Sequence, residues 1–146
     1  MMEIPDAYRF LNIKINQFAC FEENFDRQIP ELNVSGTYSY GFDLTTGHFR
    51  CLASITYSQC DKIVMKIETE ALYQLMDVAI GEFVKDNTLV MPSKAVRYFT
   101  SMLYGATRGI LACKLEGTPL ASIVLPPDNL DKIITNPLVI PIGNNA

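Results

Sequence analysis

The sequence has a single histidine, His48, and none of its four cysteines forms a CxxC pair. Zinc normally takes four clustered Cys and His ligands, often as close pairs, so no metal site is expected. A secretory leader is not expected either. Met1-Met2-Glu3-Ile4-Pro5-Asp6 puts acid where such a leader carries base, and no apolar core follows it. Cys20, Cys51, Cys60 and Cys113 are therefore expected to be reduced thiols in a cytosolic setting. No uncharged apolar run approaches the roughly 18 residues of a membrane span; the most tempting one is broken by Arg97 and Arg108. Lys and Arg are scattered and form no block, in a chain of net charge -4. That argues against a nucleic-acid face that tracks phosphates. No glycine-rich phosphate loop exists, since Gly105 and Gly109 follow no strand.

What remains is a folded chain of 146 residues, 49% apolar and 19% charged, without low-complexity tracts. The length implies one domain over residues 1–146, able to bury roughly 70% of its unfolded surface. Its apolar content leaves surface for oligomerisation or for an apolar ligand.

The first half reads as strands. Ala7 to Phe21 alternates, and the set Arg9, Leu11, Ile13, Ile15 and Gln17, apolar in its middle, is expected to face inward. Glu22 to Pro30 is a polar crossover. Glu31 to Asp43 carries Leu32, Val34, Tyr38, Tyr40 and Phe42 on one face, with Gly36 among them marking a bulge or a close backbone approach. Leu44 to Gly47 is a turn. Phe49 to Gln59 is a third strand, Cys60-Asp61 a tight connection, and Lys62 to about Leu75 a fourth strand. Asp77 to Val90 is read as a connector. Short turns between amphipathic strands imply an antiparallel sheet with one wet face.

Met91-Pro92-Ser93-Lys94 opens a helix expected to run to about Leu115. Val96, Phe99, Leu103, Ala106, Ile110 and Cys113 make one apolar stripe in heptad spacing. Ala95, Tyr98, Met102, Gly105, Gly109 and Ala112 make a second, smaller one. Together they span about 160°, wider than the roughly 100° that one sheet contact needs. The helix is thus expected to be sandwiched between its own sheet and a second subunit, with the second stripe as the oligomer interface. The alternative is that the glycines only kink or end the helix. Leu120 to Leu125 is an apolar segment expected to pack along the helix. A short helix from Leu130 to Thr135 and an extended apolar end, Pro137 to Pro141, complete the chain. The fold class is α+β: a four-stranded antiparallel sheet, Greek-key-like, covered on one face by a long helix and a short C-terminal helix.

Several landmarks of the last third belong together. They are Met91-Pro92, Ala95, Arg97, Thr100-Ser101-Met102, Arg108-Gly109, Leu125-Pro126-Pro127 and Asn129-Leu130-Asp131. In this order, behind four strands, they resemble the SecB-type export chaperones. The stretch between Arg108-Gly109 and Leu125-Pro126-Pro127 is longer than in that family, by about two helical turns. The chain end also lacks the family's basic, zinc-contacting character. The resemblance implies a non-enzymatic protein without cofactor, a homodimer or homotetramer, whose partners are unfolded or extended polypeptides. The client belongs to export or, in the manner of a toxin–antitoxin system, is an antitoxin. Such a chaperone holds its client on apolar grooves between sheet and helix, where aromatic and flexible side chains adapt to many sequences. Tyr38, Tyr40, Phe42, Tyr98, Met102 and Leu125 are the candidates, with ordinary core packing as the competing reading of each.

A hotdog-type enzyme or acyl-binding protein also lays a sheet on a long helix. Its chemistry needs a carboxylate or histidine near the start of that helix. Here the start is Met91-Pro92-Ser93-Lys94, Glu82 and Asp86 upstream have no paired base, and the helix follows the strands instead of preceding them. His48 reads as a solvated turn residue, no nucleophile-elbow motif exists, and Cys113 reads as a small buried side chain. No catalytic residue is therefore expected.

Overall fold

Two pairs of residues with positive φ punctuate the chain: Cys60 and Asp61 (51° and 62°), and Asp86 and Asn87 (53° and 56°). Both are two-residue loops of the kind that joins twisted antiparallel strands tightly. A computed structural model describes residues 7–126 and 129–142. In it, β1 (Tyr8–Cys20), β2 (Asn33–Asp43), β3 (His48–Gln59) and β4 (Lys62–Leu75) form one antiparallel sheet in the order β1-β4-β3-β2. Three strands follow one another by hairpins, and β1 lies beside β4 after a long connection, which is a Greek key. The expected strands β2 to β4 are found almost to the residue.

The first strand differs. Leu11 and Asn16 have no partner on β4, because the register shifts at both. Each bulge inserts one residue and flips the parity of the side chains beyond it. The residues opposite the buried side chains of β4 are Tyr8 and Phe10, then Ile13 and Ile15, then Phe18 and Cys20. The expectation of a single odd-numbered inward set is thus correct only between the two bulges.

After β4, the presumed connector is structured. It forms α1 (Asp77–Phe83), then β5 (Val84–Lys85) and β6 (Thr88–Met91). The apolar chain end is β7 (Leu138–Pro141), paired antiparallel to β6. This small sheet closes one end of the core: Leu89 and Met91 are fully buried, with Leu138 and Ile140 half-buried against the same cluster. The chain end therefore finds cover within its own chain.

The long helix α2 (Ser93–Lys114) lies over the central strands β3 and β4. Its buried line is Val96, Phe99, Thr100, Leu103, Thr107 and Leu111. The heptad stripe fails beyond Leu103: Ala106 and Ile110 are half-buried and Cys113 is exposed, while Thr107 takes the core position. A straight helix has 3.6 residues per turn, so a 3.5-residue stripe drifts about 20° per heptad away from a flat partner. Thr100 and Thr107 tolerate burial because each hydroxyl donates to the carbonyl four residues back, Val96 and Leu103, at 2.7 Å in both cases. Tyr73 of β4 donates to the Phe99 carbonyl at 3.1 Å. The short helix α3 (Leu130–Ile133) rides on α2, where Arg97 meets Asp131 at 3.1 Å and donates to the Ile134 carbonyl at 2.9 Å.

Candidate functional site

Because α2 covers the middle of the sheet, each edge strand is left with an open flank. On the β2 side, the residues after α2 build a wall. Leu115 is buried at the helix end, and Gly117 turns the chain in the left-handed region (φ 81°). The Thr118 hydroxyl donates to the Leu115 carbonyl at 2.7 Å and accepts from the Leu120 N–H at 3.2 Å. A 3-10 turn, Pro119–Ser122, follows with Leu120 fully buried. The chain then runs back along α2. Arg108 Nε donates to the Leu125 carbonyl at 2.8 Å, and the Tyr104 hydroxyl donates to the Pro126 carbonyl. The extra length after Gly109 thus forms the end of the helix and a strap fastened to it by two side chains.

Between strap and sheet runs an apolar groove. Its floor is Val34, Gly36 and Tyr38 of β2 with Ile55 of β3, its wall is Tyr104, Leu125 and Pro126, and Ile133 stands at its rim. The cavity holds about 310 Å³. Ile133 also borders a second recess of about 200 Å³, shared by Tyr40, Val96, Ile134, Pro137 and Leu138. The two recesses follow the free edge of β2. Among the described residues no charged side chain lines either of them. Val34 and Ile133 are 46% and 54% exposed, a large share for apolar residues at such a place.

Three expected binding residues meet in this region: Tyr38 and Leu125 in the first recess and Tyr40 in the second. Leu125 is itself buried. Tyr40 is anchored: its hydroxyl pairs with that of Thr100 at 2.8 Å, and its ring stacks on Phe49 with centroids 6.1 Å apart. Burial raises its ionisation above the usual tyrosine range, against the hydrogen bond to Thr100, which lowers it. Phe42 is not in the groove. It lines a different recess at the sheet's end with Ile140, where the polar outer face brings His48, Asp43, Arg50 and Glu70 together. Glu70 there pairs with Lys14 at 3.4 Å and Arg50 at 4.0 Å.

Tyr98 and Met102 lie on the other flank of α2. The Tyr8 hydroxyl shares a hydrogen bond with Tyr98 at 3.1 Å and reaches Met102 Sδ at 3.3 Å. Burial and then the Tyr98 bond push Tyr8 up to about 12. On this flank α2 touches β1 at Tyr8 and again where the Lys114 ammonium lies over the Phe18 ring, but between these contacts Phe10 and Ile15 stay 47% and 38% exposed although they point to the covered side of the sheet. Gly105, Gly109 and Ala112 continue the exposed line of α2, and a Cβ added at either glycine meets nothing within 4 Å. Ala95 departs from that expected interface: it is buried in its own core, because the first turn of α2 sits beside Met91 and β6. Val34, Gly36, Ile55, Tyr104 and Ile133 were not among the expected groove residues. Tyr104 could have been found from its place four residues after Thr100 on a 3.6-residue period.

No family model matches the chain, and no curated protein matches it. Among solved structures, a SecB-like chaperone from Mycobacterium tuberculosis, in complex with a peptide from an antitoxin, is similar over 84% of this chain and 92% of its own. The TM-score is 0.55 at 12% identity. The fold is SecB-like. A Streptococcus agalactiae protein of unknown function aligns over 82% of this chain and 96% of its own, at 14% identity and a TM-score of 0.38, too distant in shape to inform the site. The strap belongs to the stretch between Arg108-Gly109 and Leu125-Pro126, and its Leu125 and Pro126 form part of the wall of the β2 groove.

Proposed function

We propose that this chain is a chaperone-like protein of the cytosol that holds extended polypeptide in the groove along β2 and acts as a homodimer or homotetramer, without catalysis. The observation that carries this is the largely apolar groove between the edge of β2 and the strap, with Val34 and Ile133 exposed on its two sides. An edge strand offers backbone hydrogen-bonding groups to an extended chain, and apolar walls accept its side chains without regard to exact sequence. The titratable side chains of the described lining are two tyrosines, which supports binding over chemistry. The peptide held by the structurally similar chaperone supports a polypeptide ligand, and an antitoxin-type client in particular. For self-association, the support is apolar surface left open: Phe10 and Ile15 of β1 are exposed, and so is the small-residue line of Gly105 and Gly109 on α2.

Binding of fluorescently labelled, reduced and carboxymethylated α-lactalbumin tests the reading. Wild type should bind it at micromolar concentration. Val34→Asp combined with Ile133→Asp should weaken binding about tenfold or more, because desolvating a carboxylate in an apolar groove is unfavourable. Both positions are exposed, so circular dichroism should be unchanged. Equal binding by the folded double variant would remove this groove from the function.

A further inference from the structure

We propose that β7 is an autoinhibitory strand: it holds the place on the β6 edge that an extended stretch of client takes once β7 lets go. This rests on the function proposed above and names the regulation of the same site.

β7 is built to pair on one edge alone. The Ile142 N–H donates to the Asn87 carbonyl at 2.8 Å, and residues 88–91 and 138–141 continue that register. Antiparallel ladders alternate bonded and non-bonded pairs, so the N–H groups of Leu138 and Ile140 face β6 and positions 139 and 141 face away. Position 141 is proline, and so is position 137, just before the strand and on the same parity. Prolines on that side cost β7 no bond to β6, and they leave Val139 as the one outward donor between them, which bars a further strand. The seat on β6 therefore takes one short strand and ends there.

The hold on that strand is small. β7 has four residues, Leu138 and Ile140 are half-buried against the core, and Val139 is 58% exposed beside Val90. Upstream, α3 is tied by Arg97 to Asp131, whose side chain is 86% exposed, an ion pair that solvent screens. Between these two fastenings residues 133–138 stand off the body of the protein. The 200 Å³ recess lies beneath them, with Tyr40 and Val96 on its other side. What β7 covers is apolar and ready to pair: the fully buried Leu89 and Met91, on a strand whose other edge already holds β5. A client lying along β2 meets this segment at Ile133, which borders both recesses. To continue, it has to take the segment's place, and β6 offers it the same ladder.

The test locks β7 and loosens it. Val90 and Val139 are a non-bonded pair, whose Cα atoms lie about 4.5 Å apart, within reach of a disulfide. The full chain carrying Val90→Cys and Val139→Cys is fastened when oxidised and free when reduced. Both forms share one sequence, so a folding defect does not imitate the difference. Wild type taken through the same oxidation and reduction controls for the four native cysteines. The reduced form should bind carboxymethylated α-lactalbumin as wild type does, and the oxidised form about tenfold or more weaker. Ile140→Pro removes the N–H that faces β6. It should bind about threefold or more tighter than wild type, because a site held by its own strand shows full affinity only when that competitor is weakened. Loss on locking together with gain on loosening is a pair that a purely structural strand does not give. Equal binding by the oxidised and reduced forms overturns the autoinhibition and leaves the groove's function standing. A folded Ile140→Pro that binds no tighter than wild type makes β7 a structural strand and overturns it as well. A wild type that binds no unfolded lactalbumin overturns the function and the autoinhibition together.

Discussion

The hydroxyls of Thr69 on β4 and Thr107 on α2 stand 2.8 Å apart in the fully buried layer between sheet and helix. Thr107 gives its own proton to the Leu103 carbonyl, so Thr69 is the donor between the two. The pair fixes how the helix is turned on the sheet. Thr107→Val strands the Thr69 hydroxyl without an acceptor and should destabilise the fold by about 1–3 kcal/mol. Thr69→Val, which leaves Thr107 its backbone partner, should cost about 1 kcal/mol. The double variant should be more stable than Thr107→Val alone. Urea unfolding of all four proteins reads the cycle, and simple additivity would contradict this account of the pair.

Tyr57 carries the opposite situation. Its ring is fully buried, and its hydroxyl has no hydrogen-bond partner among the described residues. Burial pushes its ionisation from 10 up to about 12, with the nearby Tyr104 adding to the shift. The folded state thus favours the neutral phenol. This contribution to stability is complete below pH 10 and is lost as the pH rises from 10 towards 12. Tyr57→Phe keeps the ring and removes the orphaned group. It should stabilise the protein near neutral pH by about 1–3 kcal/mol and flatten the alkaline loss. Urea midpoints compared near neutrality and above pH 10 check both parts. A variant less stable than wild type at neutrality would mean that the hydroxyl is bonded in solution.

The sequence showed β2, β3 and β4 well because alternation between two faces and short polar turns are local signals. It hid the facing of β1, because Leu11 and Asn16 look like ordinary strand residues and only their lack of a partner on β4 makes them bulges. The helix was visible as an element, but its rotation beyond Leu103 was not. Choosing Thr107 over Ala106 depends on Thr69, a residue 38 positions away. The second sheet escaped notice because β5 has 2 residues and β6 and β7 have 4 each, too short for a period to appear. Tyr38 and Leu125 were recognised for the groove as aromatic and apolar landmarks. Gly36 was seen only as an irregularity, although it keeps unbroken register with Ile55 and lines the groove.

Tyr40 separates a structural role from a binding one. Its hydroxyl bonds Thr100 and its ring stacks on Phe49, so aspartate there places a carboxylate against the core. Tyr40→Asp should destabilise by more than about 3 kcal/mol through burial of an unpaired charge. Tyr40→Phe loses one hydrogen bond, while Thr100 keeps its bond to the Val96 carbonyl. It should cost about 1 kcal/mol and leave lactalbumin binding within about twofold of wild type. A folded Tyr40→Phe with binding lost would place that hydroxyl in contact with the client instead.

Gly109 offers the sharpest test of self-association, because in a single chain its replacement can only help. It lies on the exposed side of α2, and an added Cβ meets nothing within 4 Å. Leucine is favoured over glycine inside a helix by about 0.8–1 kcal/mol, so Gly109→Leu should raise the thermal midpoint of an isolated chain. If the backbone of a second copy seats against Gly105 and Gly109, the same leucine fills that seat and association must weaken. Light scattering should then show wild type at two or four chains and Gly109→Leu shifted towards one. Thermal unfolding of the dilute variant should not fall below that of equally dilute wild type. An unchanged oligomeric mass in the variant would free this flank of α2 from any role in assembly. A monomeric wild type would remove the oligomer itself, and the exposed Phe10 and Ile15 of β1 would then need another partner.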